Sequence, residues 1–379
     1  MTSSLPPTMK ALVVPKPGSP IELRTIPTPT PVHGSVVIRV LATHLSDKHE
    51  EVLTGSHRFL TFPNNLIPGG HAIGRIAAIG PDTTSLTPGQ LVMIHSFVRA
   101  RDDPNDVQIL WGLYEGPTPT TKKFYEDNYL AGTFAEYVRA PLENVEPLNE
   151  KKLLSPVTEG GLGYSIESLL KLTTDLVPFG GFRGISLQPG ERVIVAPATG
   201  QFSGAAVQVA VAMGAQVIAV GRSIERLKKV QDIFPPGRVQ IVAVTGDEKV
   251  DTEALTQWGP VDAYMDISPA EASGPKNHVR ACFNAVRNYG RVSLMGVLFD
   301  DIATSYGAAV WKNLTIRGQY MYEREDVKIA VKMAEAGVLK VGKEDGVEVV
   351  GKFKLEDVAS GFVAARENCG VGKIVALTP

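Results

Sequence analysis

The pattern of apolar and polar residues predicts its clearest element near the middle of the chain. Residues 193–196 form a short apolar run, which is typical of a parallel strand buried on both faces. A glycine-bearing turn follows at residues 197–204, and the small apolar residues 205–213 predict a buried helix that ends at Gly214. Residues 216–220 form a second apolar run. This arrangement suits a dinucleotide whose pyrophosphate is held by N–H groups at a helix N-terminus.

The residues before this element show a different pattern, with short β-rich segments separated by proline-rich connections. Such spacing predicts an antiparallel, partly open barrel rather than a parallel sheet. Between two of the segments, residues 97–131 are polar and aromatic and predict a long, structure-poor insertion, either a surface excursion or a substrate lid or subunit contact. The predicted strands are residues 11–15, 21–26, 35–43, 71–80, 87–96 and 132–140.

From about Leu169 onward, strands and helices alternate, which predicts a doubly wound parallel sheet over residues 169–320. Residues 1–168 and 321–379 are predicted to form the other domain, which the β-rich tail rejoins. The remaining strands are predicted at residues 238–244, 260–268, 290–297, 314–320 and 372–377, and helices at 277–286 and 326–336.

Two glycines, Gly200 and Gly204, lie in the central turn, so the G-x-G-x-x-G fingerprint is not complete. A plain strand–helix–strand unit without a nucleotide therefore remains an alternative for this stretch alone. Strand ends at the carboxyl edge of the sheet line the usual ligand crevice. The candidate cofactor-binding residues are Ala198, Thr199, Gly200, Gln201, Phe202, Ser203, Gly221, Arg222, Ser223, Met295 and Gly296.

Composition narrows the possible partners. The net charge of −2 gives no electrostatic footprint for nucleic acid or an anionic membrane, and no run of about 18 apolar residues exists to span a bilayer. The first ten residues lack the apolar core of a secretory signal, so we expect a cytoplasmic protein. Cys282 and Cys369 are the only cysteines, which fits a reducing compartment and excludes a cysteine-rich metal site.

Several short motifs together resemble the medium-chain dehydrogenase/reductase superfamily, which holds zinc alcohol dehydrogenases, quinone oxidoreductases and enoyl reductases. The resemblance implies a GroES-like catalytic domain, an inserted Rossmann domain, a nicotinamide cofactor and, as is usual in the family, a homodimer. The fold class is therefore expected to be α/β, with an antiparallel GroES-like barrel and a parallel Rossmann sheet. The motifs are Gly70-His71, Gly74, Gly80, Pro88-Gly89, residues 132–137, residues 187–191, the turn at 197–204 and Gly372-Lys373.

The resemblance also lets the family's zinc chemistry be compared with this chain. Zinc-dependent members carry a cysteine where His44 stands, and a His-Glu pair where His71 and Ala72 stand. Their third ligand falls near Thr173 or Asp175. A catalytic zinc needs about three protein ligands, and the thiolates are missing. We therefore expect no metal, with His44 and His71 acting as hydrogen-bonded histidines of the site.

Candidate proton donors come from the same resemblance. Ser46 and His49 match positions that relay a proton in the alcohol-dehydrogenase branch, and Asp47 lies between them. Because a histidine titrates near neutrality, we expect His49→Ala to lower kcat and to remove a titration near about pH 6–7. The alternative is that Asp47 fixes a loop and His49 faces water. Tyr164 and Lys48 are weaker candidates.

Three functions remain open at this point. The first is an NADPH-dependent, zinc-independent reductase of an activated C=C or quinone-like small molecule. The second is a carbonyl reductase or alcohol dehydrogenase that uses Ser46 and His49, and the third is a non-catalytic NADPH-binding protein. NADPH is expected because Arg222 and Ser223 stand where NAD-preferring proteins place an acidic residue.

Overall fold

The computed structural model describes residues 5–57, 59–274, 278–298 and 306–379. The chain divides into two units. The first unit contains the chain up to Thr173 together with residues 347–369 and 373–379, and the second contains residues 174–346 and 370–372.

Strands predominate in the first part of the chain, and strands and helices alternate from β10 onward. The strands are β1 (Thr8–Val13), β2 (Glu22–Pro27), β3 (Ser35–His44), β4 (Ala72–Ile79), β5 (Leu91–Ile94), β6 (Phe97–Arg99), β7 (Gln108–Leu110), β8 (Tyr137–Pro141), β9 (Val145–Pro147), β10 (Arg192–Ala196), β11 (Gln216–Gly221), β12 (Val239–Ala243), β13 (Val261–Asp266), β14 (Val286–Leu294), β15 (Thr315–Gly318), β16 (Glu348–Phe353) and β17 (Lys373–Leu377). The helices are α1 (Asp47–Leu53), α2 (Pro119–Asn128), α3 (Glu150–Leu154), α4 (Lys171–Gly184), α5 (Gln201–Ala212), α6 (Ile224–Gln231), α7 (Glu248–Thr256), α8 (Val279–Ala285), α9 (Tyr306–Trp311), α10 (Arg324–Glu335) and α11 (Val358–Glu367).

The first unit is built on a largely antiparallel sheet. Its strands follow the order β16-β17-β3-β4-β5-β9, and β8 also pairs with β3. The tail strand β17 pairs with the end of β3, with Ala376 opposite His44, so the tail joins this unit as the sequence predicts. Alternating inward residues form a core that includes Leu12, Ile38 and Phe134.

The second unit is a parallel sheet in the order β12-β11-β10-β13-β14-β15. The apolar run predicted at residues 193–196 forms part of β10, and these residues are fully buried. Helix α5 begins at Gln201, four residues before the predicted start at 205, because Gly200 already serves as its N-cap. Gly214 follows this helix with φ +91°, a conformation that glycine adopts at no steric cost. The two-domain fold class is confirmed.

The boundary after β15 differs from the prediction. Residues 321–346 belong to the second unit, not to the first, and they include α10. The reason is packing against α4. The backbone of Tyr322 lies so close to Gly180 that a Cβ there would be 2.7 Å from it, and Arg183 pairs with the buried Asp326 at 3.3 Å.

The segment at residues 97–131 is structured, contrary to the prediction. It forms the β6–β7 pair and helix α2, and its aromatic residues join the hydrophobic core of the first unit. Trp111 and Tyr125 are fully buried, and the Trp111 Nε1–H donates to the Ala131 carbonyl at 3.1 Å. Tyr129 packs against Trp111 and Phe124, with ring centroids 6.1 and 5.0 Å apart.

Two further boundaries differ from the sequence prediction. Helix α8 begins at Val279, and the predicted start at Asn277 lies outside the described residues. Strand β14 begins at Val286 rather than at Gly290, directly after that helix. In the part of the chain that the structure describes, none of the helices combines the length and apolar character needed to cross a membrane.

A short return of the chain completes the second unit. A Cβ built on Gly204, in helix α5, would lie 2.3 Å from the side chain of Val371. Only glycine therefore allows this contact. Residues 370–372 belong to the second unit, whereas residues 347–369 before them and 373–379 after them belong to the first.

Candidate functional site

The first unit brings His44 and His71 together at one end of its sheet. His44 is the last residue of β3, and His71 immediately precedes the neighbouring strand β4. The Thr43 hydroxyl donates to the His71 carbonyl at 2.7 Å and lies 2.7 Å from the Thr133 hydroxyl. The His71 Nε2 atom lies 2.9 Å from the Ser96 hydroxyl. These contacts hold His71 in place without a carboxylate.

Four buried histidines form a cluster in this unit, namely His44, His49, His71 and His95. Burial lowers the pKa of His71 to about 3, and the charged forms of His44, His95 and His49 would lower it further. Burial and His44 likewise lower the pKa of His49 to about 3. His44, His49 and His71 are therefore uncharged at neutral pH, because a buried imidazolium without a counter-charge is costly.

Ser46 and His49 lie together, as the sequence predicts, but in a helix-capping geometry. The Ser46 backbone N–H donates to His49 Nδ1 at 2.9 Å, and the Ser46 hydroxyl is also 2.9 Å from that atom. This is the N3-to-N-cap bond of a capping box at the start of α1. An atom that accepts an N–H cannot carry a proton itself, so the neutral imidazole is protonated on Nε2. The titration expected near pH 6–7 does not agree with a pKa of about 3.

Two of the three other candidate proton donors, Asp47 and Tyr164, have different contacts. Asp47 is the first residue of α1, and burial raises its pKa, while Lys48 and the backbone N–H groups act against that rise. Tyr164 is 9% exposed, and its backbone N–H donates to the Leu153 carbonyl at 2.9 Å. That bond ties the loop carrying Tyr164 to helix α3.

Lys171 is a residue of this site that the sequence interpretation missed. It is 2% exposed and begins α4, directly after a 3-10 turn (Ser168–Leu170) that contacts both β3 and β4. Burial and the charge of Lys171 lower the pKa of His44 to about 4. A lysine at a helix start is normally a surface residue. The signal that was available is the apolar run of residues 169, 170 and 172 around it.

The cluster lacks one donor of the family's zinc site, since His44 stands in place of a cysteine. Thr173, one of the two positions near the expected third ligand, donates its hydroxyl to the Leu170 carbonyl at 2.7 Å. Residue 72 is alanine rather than an acid, and the ammonium of Lys171 acts on His44. Among the described residues, His, Cys, Asp and Glu form no group of three or more that could hold a metal ion.

The second unit presents the predicted pyrophosphate turn at the start of α5. Gly200 is the N-cap, and its N–H donates to the Ser203 hydroxyl at 2.8 Å. In general, the N–H groups of the first turn of a helix suit an anion, and residues 201–203 form this turn in α5. Ala198 is buried below the turn, whereas Phe202 is 41% exposed. Thr199 lies within 3.5 Å of the Cβ position of Gly221.

The end of β11 offers a cation rather than a carboxylate. Gly221 is the last residue of the strand, Arg222 is exposed, and Ser223 is the N-cap of α6, where its hydroxyl accepts from the Arg226 N–H at 3.3 Å. Within the described ranges, no hydrogen bond or ion pair holds the Arg222 guanidinium.

Met295 and Gly296 follow β14 at the same edge of the sheet. The Met295 N–H donates to the Asp266 carbonyl at 2.8 Å, and the Val297 N–H donates to the Ser268 carbonyl at 2.8 Å. A Cβ on Gly296 would lie 2.5 Å from a carboxylate oxygen of Asp266. This segment therefore lies directly against the end of β13.

Comparisons with known proteins support the family and the fold. Residues 32–150 match the family model described as alcohol dehydrogenase GroES-like domain, and residues 203–336 match the one described as zinc-binding dehydrogenase. The chain is 26% identical over 334 residues to an alcohol dehydrogenase of Rhizobium meliloti, covering 87% of this chain and 89% of the relative. It is 24% identical over 374 residues to an acryloyl-coenzyme A reductase of Metallosphaera sedula, covering 98% and 100%. The crystal structure of AibC superposes with a TM-score of 0.75 at 21% identity, covering 98% of this chain and 96% of that one.

Proposed function

Because the chain belongs to the medium-chain dehydrogenase/reductase superfamily, whose members bind a nicotinamide cofactor, we propose that it is an NADPH-dependent reductase of an activated C=C bond. The substrate class is a small enone, enoyl thioester or quinone-like molecule, and no zinc takes part. The observation that carries this proposal is the neutral histidine cluster beside the buried Lys171.

Conjugate reduction suits a site without a Lewis-acid metal. Bound NADPH supplies a hydride to the β-carbon, and the charge that develops spreads onto the carbonyl oxygen before a proton completes the saturated product. Preorganised charges and donors stabilise such a developing anion most strongly where water is excluded. Lys171 contributes a positive charge of this kind, and the neutral imidazoles offer hydrogen bonds. A saturated ketone localises more charge on oxygen and needs a stronger electrophile.

The proposed absence of zinc rests on the same residues. Zinc prefers thiolate, imidazole and carboxylate donors, and a neighbouring ammonium repels a divalent cation. The cluster offers imidazoles near Lys171, with Ala72 in place of an acid.

The proposed preference for NADPH rests on Arg222. An exposed guanidinium that follows the second strand of the sheet suits the 2′-phosphate of NADPH, and Ser223 can donate a further hydrogen bond. No carboxylate lies at this strand end to bind a ribose 2′-hydroxyl.

A second candidate is a carbonyl reductase or alcohol dehydrogenase. The contact of 2.9 Å between the Ser46 hydroxyl and His49 Nδ1 favours it, because a hydroxyl can pass a proton to a neutral imidazole. Among the relatives, alcohol dehydrogenases and acryloyl-coenzyme A reductases occur at similar identity.

A homodimer is proposed from the exposed edge of the second unit. Strand β15 ends the sheet order, and each of its residues is exposed. Large apolar side chains accompany it, including Trp311 at 84%, Tyr306 at 84% and Ile316 at 42% exposure. An uncovered edge strand with apolar neighbours is a template for pairing with a second copy. Light scattering of the parent and of Trp311→Glu tests this, and a monomeric parent contradicts it.

The experiment that tests the function is NADPH oxidation with matched pairs of substrates. An enone, an enoyl thioester and a quinone are compared with the saturated ketone and aldehyde of the same size, with and without a chelator. We expect turnover of the unsaturated compounds only, unchanged by the chelator. Turnover restricted to the saturated carbonyls favours the second candidate, and about one zinc per chain by elemental analysis contradicts the metal-free proposal.

A further inference from the structure

A second polar cluster lies in the second unit, at the end of β13. The carboxylate of Asp266 is 2% exposed and accepts several hydrogen bonds. Its Oδ2 atom accepts from the Tyr264 hydroxyl at 2.7 Å, the Ser268 hydroxyl at 3.0 Å and His278 Nε2 at 3.1 Å. Its Oδ1 atom accepts from the Ser268 N–H at 3.1 Å. We call these four residues the Asp266 cluster.

The cluster holds a charge in a buried place. Burial raises the pKa of Asp266, but the hydrogen bonds from His278, Tyr264 and Ser268 outweigh it, and the net pKa lies below its ordinary value. The carboxylate is therefore ionised at neutral pH. Hydrogen bonds to an ionised acceptor are about twice as strong as neutral ones, so the carboxylate fixes its donors firmly.

The backbone around the carboxylate joins three strand ends. The Ile267 N–H donates to the Ala196 carbonyl at 3.1 Å, just before the pyrophosphate turn. On the other side, the segment 295–297 is bonded to residues 266 and 268, and Gly296 lies against the Asp266 carboxylate. Displacing this carboxylate would move the segments that follow β10, β13 and β14 together.

We propose that Asp266 and His278 are positioning residues for the nicotinamide half of the cofactor. They act through the backbone of residues 267–268 and 295–297, at the edge where parallel sheets bind ligands. The inference rests on the proposed placement of the cofactor at Met295 and Gly296. It does not depend on which substrate the enzyme reduces.

The same unit offers a matched control. Asp251 is also 2% exposed, and its carboxylate accepts from the Thr245 N–H and hydroxyl, both at 2.8 Å, and from the Gly246 N–H at 3.0 Å. It fixes the loop after β12, two strands away from β10. A purely structural effect of losing a buried carboxylate network should be similar at both places.

The experiment compares the affinity of the whole cofactor with that of its adenosine half. Calorimetry measures binding of NADPH and of 2′,5′-ADP to the full chain, or of NADH and ADP should the parent prefer NADH. The variants are His278→Leu, which removes the donor, and His278→Gln, which keeps an N–H donor. Asp251→Asn is the control, and circular dichroism checks that each variant is folded.

We expect His278→Leu to weaken binding of the whole cofactor by about tenfold, the value of one charge-assisted hydrogen bond, while 2′,5′-ADP binds as to the parent. His278→Gln should recover most of the loss, and Asp251→Asn should leave the ratio of the two affinities unchanged. Equal weakening of both ligands by His278→Leu, or no weakening, overturns the inference. Where His278→Leu does not fold, Ser268→Ala gives the same test, because it removes the hydroxyl group that donates to Asp266 Oδ2.

The failure of this inference can be distinguished from a failure of the proposed function. Binding is measured without substrate, so a wrong substrate class leaves the result intact. A parent that binds neither reduced cofactor contradicts both.

Discussion

The two units bury histidines in opposite ways. In the first unit, His49 and His71 contact a backbone N–H and a hydroxyl, and burial keeps them neutral. In the second unit, His278 contacts the carboxylate of Asp266, which stays ionised. The same residue type therefore contacts uncharged groups in one unit and an ionised carboxylate in the other.

The largest expected effect of this difference is on stability in acid. The pKa values of His44, His49 and His71 lie at about 4, 3 and 3, below the ordinary 6.5, so the unfolded chain binds more protons below pH 6.5. Stability is full above pH 6.5 and falls as the pH approaches these values. Each histidine contributes a loss of roughly 1.4 kcal/mol per pH unit, and the three together about 4 kcal/mol per pH unit near pH 5.

Urea denaturation between about pH 7.5 and 4.5 measures this loss. Trp111 reports the first unit once Trp258 and Trp311 of the second are replaced by phenylalanine. His49→Gln should reduce the slope by about a third, because one of three linked groups is removed, and His33→Gln, at an exposed position, should leave it unchanged. A free energy of unfolding of the first unit that stays constant from pH 7 to 5 contradicts the low pKa values of these histidines.

The next largest effect concerns the buried ammonium group of Lys171, which lies beside the uncharged histidines. Lys171→Met keeps the length of the side chain and removes its ammonium, so the developing negative charge of the substrate loses a stabilising partner. We expect kcat for the enone to fall by about 10²–10³-fold, as for the loss of one preorganised donor. Lys48→Met is the control, since the Lys48 side chain is 43% exposed and pairs with Glu51. An unchanged kcat in Lys171→Met removes Lys171 from the proposed chemistry.

The second unit is expected to use charge for cofactor selection. Arg222→Ala removes the guanidinium that we assign to the 2′-phosphate, so NADPH should lose about 10- to 150-fold in kcat/KM while NADH changes little, as for a charge-assisted bond. Arg226→Ala, one helical turn further on, is the control. A parent that uses both cofactors equally well disproves the assignment.

A smaller effect is expected where the backbone crosses the Asp266 cluster. Gly296→Ala places a methyl group 2.5 Å from the Asp266 carboxylate and 2.8 Å from the Ser268 nitrogen. Overpacking of this kind costs about 1–3 kcal/mol, and we expect it both in unfolding of the second unit and in NADPH affinity. Gly318→Ala, which meets nothing within 4 Å, is the control. Equal stability of the two variants contradicts the close approach.

The smallest effect separates a cap from a proton relay. His49→Gln keeps a side-chain acceptor for the Ser46 N–H, whereas His49→Ala loses it, so the alanine variant should lose about 1 kcal/mol of stability and the glutamine variant much less. Because His49 is neutral and Nδ1 is occupied, we expect kcat and its pH profile to remain those of the parent in His49→Gln. A fall in kcat of about 10²-fold in both variants supports a proton relay through His49 instead.

The elements that could be predicted from the sequence are those whose burial leaves a periodic trace. Residues 193–196 are buried on both faces and form an apolar run, so the predicted strand agrees with β10 to within one residue. The segment at 97–131 carries no such period, because Trp111 and Tyr125 enter the core of the first unit from a turn and from a helix with few buried residues. The domain boundary at 321–346 depends on the fit of Tyr322 to Gly180, which no pattern along the chain records.

The candidate site shows the same limit. Ser46 and His49 were paired correctly, since three residues separate a helix N-cap from its N3 partner. Their capping role and the low pKa of His49 depend on burial by residues far along the chain, such as Phe134, whose ring lies 5.2 Å from the imidazole. The burial of Lys171 could not be predicted from the sequence, because lysine side chains are mostly exposed to solvent.

The contact between Val371 and Gly204 has a consequence for how the second unit folds. The two residues lie far apart in the sequence, and residues 347–369 between them belong to the first unit. A contact that closes such a long loop loses conformational entropy before it stabilises the fold, and such contacts slow folding. We therefore expect the Gly204 face of α5 to be covered late in folding, after the strands and helices closer to it in sequence have packed.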